Sequence, residues 1–589
     1  MHPLPEYPRP ALRRDSFESL NGPWQYAFTK AAQFPTAWDG TIRVPYSPEA
    51  PASGVRRTLQ PGEWLHYHRG FTPPAGQGGR VLLHFGAVDY ACAVEVNGHL
   101  AGGHRGGYWP FTLDITDYLR PGRNTLWVAV QDPTGNGTQA RGKQTLTPGG
   151  MFYHAQSGIW QTVWLERVPD NYITELTVTP DYDARTVTVK AHTAQPGGAR
   201  NLWAVVRAGG VTIAEDWGSD EADQDGEVTL NIPEEHFFPW SPDSPFLYDL
   251  TVGTTQGDED GFDTVHSYFA LRKWSCEPDA KGILRFCLNG RPILLNGLLD
   301  QGYWPEGLYT PPSDAAVVHE LEQVKELGFN LLRKHAKIEP QRWYYHCDKL
   351  GLIVWQDMVN GGGKLNQWYV TYLTNALLPL LRHTPDAKPL WGLLGRETDA
   401  SRESYQTELK ATVEALRCHP CIGCWVPFNE GWGQFDARAA TAALRGLDDT
   451  RLIDEASGWY DQGGGDVDSR HNYFYPLRIR PGGRTVALSE YGGIAWPMPG
   501  HEPPGKTYGY GTAKDKADLT KRYKMLQWKT ILPQLGRGLS ALVYTQLTDV
   551  EDEVNGLFTY DRAALKPEAS AVRSCNAALA AEFAKVTAK

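Results

Sequence analysis

Two glutamates in apolar company define the chemistry to look for. The run WVPFNEGWGQFD, from Trp425 to Asp436, carries Glu430 at the end of a strand-like stretch, and TVALSEYGG carries Glu490 at the end of another. Taking a carboxylate out of water costs several kcal/mol unless it is paired, so in such a place it tends to keep its proton. A protein makes a general acid near neutral pH in this way. Two carboxylates across one pocket are equipped to hydrolyse a glycosidic bond. At about 5 to 5.5 Å one of them is a nucleophile and configuration is retained, whereas about 6.5 to 9.5 Å leaves room for a water and gives inversion.

Other chemistry-bearing residues gather near these two in the pattern. Asn429 precedes Glu430, Arg333 and His335 stand in LLRKHAK, Trp355 and Asp357 in VWQDM, Tyr473 in HNYFYP, and Trp496 follows the second glutamate. Each has a plainer reading: Arg333 as the ion-pair partner of either glutamate, His335 as a satisfied core histidine, the tryptophans as packing. CHPCIGC, from Cys418 to Cys424, has ligand-like spacing, but no second cysteine pair follows at zinc-ribbon distance, and no metal is expected there. NGGGK at 360–364 lacks the spacing and the Ser or Thr of a phosphate loop.

The glutamates need a scaffold that brings distant strand ends together. From Trp274 onward strand and helix patterns alternate. Ser313 or Asp314 caps DAAVVHELEQVKELGF, in which Val317, Leu321, Val324 and Leu327 form one stripe, and Pro340 starts the helix PQRWYYHCDKLG. Strands are predicted at GRPILLNGLL, NLLRKHAK, LIVWQDM, CIGCWVPFNE, RLIDEAS, SRHNYFYP, TVALSEYGG and LSALVYTQL. Eight parallel strands covered by helices make a (β/α)8 barrel with its active site at the C-terminal strand ends. Both glutamates then point into one mouth. Pro427 lies inside a proposed strand, where a bulge or the end of pairing is expected.

Ahead of the barrel the pattern is all β. RVLLHFGAVDYACAVEVNGHLAG contains an Asn97-Gly98 hairpin turn, and YITELTVTPD, RTVTVKAH, NLWAVVRAG, EVTLNIP and FLYDLTVGT follow at immunoglobulin-like spacing. Length requires about two to four domains. The net charge of -11 gives nucleic acid or an anionic membrane no long-range attraction, so neither is an expected partner. No apolar stretch reaches about 20 residues and the N-terminus has no signal-peptide pattern, so the expected location is cytoplasmic. Eight sparse cysteines fit reduced thiols. The 21 Trp and 28 Tyr offer flat faces suited to stacking on sugars, although β-rich cores use such rings too.

Six motifs in order resemble glycoside hydrolase family 2, the family of β-galactosidases, β-glucuronidases and β-mannosidases, over nearly the full length. LNGPWQYAF, HFGAVDYACAVEVNGHLAGGHRGGYWPFTLDIT and SGIWQTVWLE resemble its jelly-roll domain, PWSPDSPFLYDL the end of its immunoglobulin-like domain, and VPFNEGW and SEYGG its acid/base and nucleophile motifs. The resemblance implies a jelly-roll over 1–170, an immunoglobulin-like sandwich over 171–272 and a catalytic (β/α)8 TIM barrel over 273–589. It implies Glu430 as acid/base, Glu490 as nucleophile, Arg333 keeping that nucleophile ionised, His335 on a sugar hydroxyl, Asn429 on the 2-hydroxyl and Tyr473 on the nucleophile. Trp355, Asp357 and Trp496 become pocket-wall candidates. The family's β-glucuronidases hold the uronate with Asn-x-Lys after the last strand. Here that loop is TDVEDEVNGLF, with Asp549, Glu551, Asp552 and Glu553, a charge that would suit neutral or cationic sugars if it faces the pocket. Tyr544 and Gln546 stand where many members carry Trp. The sequence ends after the barrel pattern, so metal sites and subunit contacts of the large β-galactosidases are not carried over; a homo-oligomer is left open, and no cofactor is expected. The expectation is an exo-acting retaining glycosidase of a carbohydrate substrate, with β-galactosidase leading. Mannosidase, glucuronidase and arabinofuranosidase are alternatives, as is a non-catalytic carbohydrate-binding protein.

Overall fold

Alternation of buried and exposed residues at period two builds the first two layers. In Ala91–Val96 every second residue is buried, and the chain turns back through Asn97 and Gly98, both at positive φ (54° and 82°), into His99–Arg105. That is the mirror-image turn an antiparallel hairpin favours. The computed structural model describes residues 3–76, 78–195, 201–218, 226–255, 263–474, 476–502 and 505–588.

A six-stranded and a four-stranded antiparallel sheet form the N-terminal jelly-roll around Trp24, Tyr67, Phe85, Val94 and Leu165. A three-stranded and a four-stranded sheet then enclose Val189, Leu202, Leu250 and Val265 in an immunoglobulin-like sandwich. The N-terminal strap joins the two: Arg13 pairs with His266 along the backbone, and Arg14 bridges Glu166 and Asp263 at 3.0 and 2.6 Å.

The eight barrel strands are β1 Leu295–Asp300, β2 Leu331–Lys334, β3 Ile353–Asp357, β4 Ile422–Val426, β5 Leu452–Ile453, β6 Val467–Asn472, β7 Thr485–Gly492 and β8 Leu539–Thr545. All pairings between them are parallel, in the order β5-β4-β3-β2-β1-β8-β7-β6. Where the sheet would close, Asp466 N–H donates to the Ile453 carbonyl at 2.8 Å. All eight strands lie where the sequence places them. Helix α1 (Asp314–Glu326) is capped by the Ser313 hydroxyl, which accepts from Ala316 N–H, and it buries Val317, Leu321 and Val324. Helix α2 (Gln341–Leu350) starts after Pro340, which sits at the cap, and ends at Gly351 with φ 73°. Between β3 and β4 the chain makes a long excursion containing helical turns at Trp368–Leu381 and Asp399–Leu416.

Pro427 ends the ladder, as a missing N–H requires. β4 stops at Val426, and Phe428–Asn429 pairs separately with Ala456–Ser457. The Pro427 carbonyl accepts from the Tyr405 hydroxyl at 2.7 Å. CHPCIGC forms the turn leading into β4. Its three thiols approach three different carbonyls, those of Ala415, Tyr344 and Trp425, and so do not converge.

Candidate functional site

Three local irregularities deliver the two glutamates to the mouth. After the break at Pro427, Glu430 adopts φ 51°, an unusual region for a side chain with a Cβ, and its N–H donates to the Ser457 carbonyl at 2.9 Å. In β7 the register shifts between Leu488 and Tyr491 against β8, and in β6 between Arg470 and His471. The β7 bulge lets consecutive residues both face inward: Ser489 Oγ bonds Ser457 and Ser469 inside the barrel, and the Glu490 carboxylate points at Arg333 and Tyr473. Tyr491 then faces the helical layer, its hydroxyl donating to Gln527.

One carboxylate oxygen of Glu430 and one of Glu490 lie within 4.8 Å of each other. Glu490 is 5% exposed and accepts from Arg333 Nη1 at 3.2 Å and from the Tyr473 hydroxyl at 2.7 Å. Burial acts to raise its pKa, but the charges of His471, Arg333 and His335 and the Tyr473 bond outweigh it and hold the carboxyl well below its ordinary range. Glu430 is more open, with 22% of its side chain exposed.

Arg333, fully buried at the end of β2, organises the base of the site. It grips Asp357 through Nε and Nη2 at 2.9 and 3.1 Å, donates to Asn429 Oδ1 at 2.8 Å, and reaches the Ser489 carbonyl at 3.2 Å. Its first partner is therefore Asp357, and it serves Glu490 with the hand that remains. Asp357 also binds His335 Nδ1 at 2.6 Å. Burial, then the charge of Lys143, lowers the His335 pKa despite Asp357. His335 Nε2 and Asn429 Nδ2 make no hydrogen bond among the described residues, so each is available to a ligand.

His471 is absent from the residues picked out of the sequence. Its Nδ1 lies 2.8 Å from Glu430 Oε1 and 3.6 Å from Glu490 Oε2, and its Nε2 lies 3.0 Å from Ser457 Oγ. The signal was there in SRHNYFYP: Val467, Ser469 and His471 are buried alternately in β6, and Tyr473 continues that face. Ser457, Ser469, Ser489 and Asp454 complete a polar floor, with Ser469 Oγ donating to Asp454 at 2.7 Å. Tyr510 stacks on Tyr473 at 3.9 Å and forms a wall of the mouth.

The remaining candidates have partners of their own. Trp355, two residues before Asp357 in β3, is fully buried against Phe286 of the hairpin preceding the barrel, so it packs the core instead of lining the mouth. Trp496 belongs to a small cluster with Ala513 and Leu519. Tyr544 faces Tyr491 and Tyr523 on the helical side, and its neighbour Thr545 is the β8 residue that reaches Tyr473, at 2.9 Å. In the loop after β8, Asp549 does not face the pocket: it is buried on Lys566 at 2.7 Å. Glu551 takes His154 of the jelly-roll. Glu553 is 3% exposed and accepts from Tyr153 at 2.5 Å and Asn555 at 3.0 Å. Glu430, His471 and Glu490 also have the atoms of a cation site within 4.8 Å, but Arg333 already supplies positive charge at Glu490.

Three models of one family match consecutive stretches of the chain. The glycosyl hydrolase 2 galactose-binding domain-like model covers residues 54–161, the glycosyl hydrolases family 2 model 171–272, and that family's TIM barrel domain 283–473. A β-galactosidase of Thermoanaerobacter pseudethanolicus is 24% identical over 72% of this chain and 53% of its own length. A putative β-glucuronidase of Formosa agariphila is 25% identical over 51% of this chain and 35% of its own. The chain thus spans about half or less of these curated relatives. Among solved structures, an uncultured Clostridium β-glucuronidase superposes with TM-score 0.73 at 17% identity, covering 96% of this chain and 99% of that one. A β-galacturonidase of Eisenbergiella tayi bound to galacturonate gives 0.69 at 17%, covering 97% and 99%. These likenesses establish the three-part fold, and the three consecutive matches place the chain itself: it belongs to glycoside hydrolase family 2.

Proposed function

We propose that the chain is an exo-acting retaining β-glycosidase that works by double displacement, with Glu490 as nucleophile and Glu430 as acid/base. The observation that carries this reading is the approach of their carboxylate oxygens to within 4.8 Å, which favours a direct attack over one through an intervening water. Glu490, held ionised by Arg333 and Tyr473, attacks the anomeric carbon while Glu430 protonates the departing oxygen. Forming the ester consumes the charge on Glu490, so Glu430 can then ionise and take a proton from the attacking water. Asn429 Nδ2 bonds the 2-hydroxyl and His335 Nε2 another hydroxyl, contacts that strengthen as positive charge develops on the ring.

For the sugar we put forward a β-galactoside. Relatives named β-galactosidase support it. A uronidase is the second reading, favoured by the likeness to proteins named β-glucuronidase and β-galacturonidase. A panel of nitrophenyl glycosides, including mannoside, glucuronide and arabinofuranoside, decides among them. Glu490→Ala tests the mechanism: activity is lost and azide restores turnover as a glycosyl azide. Equal activity in the mutant, or no hydrolysis of any substrate by the wild type, contradicts the assignment.

A further inference from the structure

The jelly-roll presents one lysine to the barrel mouth on a firmly held segment. Gly142 packs so closely on the turn after His335 that a Cβ would lie 2.6 Å from the Ala336 carbonyl oxygen and 2.5 Å from the Tyr309 hydroxyl. Gln144 is clamped on the other side. Its amide donates to Asp89 at 3.1 Å and Tyr108 at 2.6 Å, and its oxygen accepts from Tyr309 at 2.8 Å. Lys143, between these anchors, therefore has a fixed backbone. Its carbonyl accepts from Tyr153 N–H at 3.1 Å, and Arg141 and Thr145, two residues to either side, line an open cleft that reaches Trp432, two residues beyond Glu430.

The Lys143 ammonium makes no ion pair or hydrogen bond among the described residues, although the residue is half-buried. Its Nζ stands 5.8 Å from the centre of the Tyr153 ring, whose hydroxyl binds Glu553, and its charge reaches His335. A donor on a fixed backbone beside a catalytic pocket loses little freedom on binding, and one without an acid partner is free to serve a ligand.

We propose that Lys143 is a substrate-binding and specificity-determining residue, donated by the jelly-roll to the catalytic mouth, where its ammonium binds an acceptor oxygen on the sugar. A hydroxyl of a galactoside and the carboxylate of a galacturonide offer that same acceptor chemistry. The inference rests on the glycosidase reading and deepens it.

The test compares wild type, Lys143→Met and Lys143→Arg on nitrophenyl galactoside and galacturonide, with melting temperature measured alongside. Loss of one hydrogen bond from a charged group predicts a fall of about ten- to a hundredfold in kcat/KM for Lys143→Met, mostly through KM, with part regained in Lys143→Arg. The melting temperature stays level, since the ammonium gives up no ion pair or hydrogen bond among the described residues. A larger loss on the galacturonide identifies a carboxylate as the acceptor, and a larger loss on the galactoside identifies a hydroxyl. Activity within twofold of wild type on both substrates overturns the proposal, and so does a fall in activity matched by a fall in melting temperature. If the wild type hydrolyses nothing, the glycosidase reading fails on its own account. Saturation-transfer NMR with galactose and galacturonate then judges Lys143: binding weakened in Lys143→Met supports it, and binding unchanged or absent overturns it.

Discussion

Replacing Tyr473 by Phe removes one oxygen atom and tests how the nucleophile is held. Glu490 is buried, and its two hydrogen bonds among the described residues are the 3.2 Å contact from Arg333 and the shorter 2.7 Å contact from Tyr473. The Tyr473 hydroxyl is also 2.9 Å from Thr545 Oγ1, which fixes its direction, and its ring stays stacked on Tyr510 at 3.9 Å in the variant. The ring therefore stays in place, and what is lost is this one bond to Glu490, together with the contact to Thr545. A hydrogen bond to a charged group contributes about 1.5 to 3 kcal/mol, so kcat/KM should fall roughly ten- to a hundredfold. The same loss falls on the ionised form of Glu490, whose pKa the surrounding charges and this bond depress. The acid limb of the kcat/KM profile should move up by about one to two pH units. The assay is the pH dependence of nitrophenyl galactoside hydrolysis for both proteins, with melting curves as a check on folding. A variant within twofold of wild type whose acid limb stays in place refutes the claim that Tyr473 supports an ionised Glu490.

Other expectations follow from the same geometry. His471→Gln removes the 2.8 Å contact to Glu430 and should lower kcat/KM about tenfold or more on substrates with poor leaving groups, and less on nitrophenyl glycosides, whose departure needs little proton donation. Asp454 is fully buried, and desolvation pushes its carboxyl up to about 6 despite Arg333, Ser469 and His471. Between about pH 4 and 6 the folded state then binds more protons than the unfolded one, so the group's stabilising contribution is complete below about pH 4 and is lost as pH rises through about 6. Asp454→Asn should accordingly gain roughly 2 to 3 kcal/mol relative to wild type on going from pH 4 to 7, read by denaturant melts at each pH; a difference independent of pH counts against it. Lys566→Met strands Asp549, which has 3% of its side chain exposed, and should destabilise by about 3 to 5 kcal/mol, seen as a lower melting temperature.

Much of this architecture was legible because it rests on local pattern. Apolar runs alternating with helical patterns placed all eight barrel strands, and Pro427 marked where β4 ends because a missing donor cannot be hidden in a ladder. Glu430 and Glu490 were legible as strand-end carboxylates. The partners of Arg333 were not: its bidentate hold on Asp357 depends on the β2–β3 register, which no single segment encodes. His471 was overlooked although it shares the inward face of β6 with Ser469, since a lone imidazole announces nothing until the facing strand brings Glu430. Trp355 misled because apolar rings suit a core and a pocket wall equally, and only burial against Phe286 separates the two. The acidic loop misled in part for a similar reason, since Lys566, which neutralises Asp549, lies beyond the loop itself. Tyr153 and Glu553 are 400 residues apart, and Gly142 meets Ala336 by the same docking of two domains, which strand and helix patterns do not report.

The most direct measurement is the anomer released first, followed by proton NMR during hydrolysis of an aryl β-galactoside before mutarotation intervenes. Carboxylate oxygens within 4.8 Å and an ionised Glu490 predict the β-anomer as first product. Initial release of the α-anomer would contradict the account, because Glu490 would then activate a water and not attack the sugar.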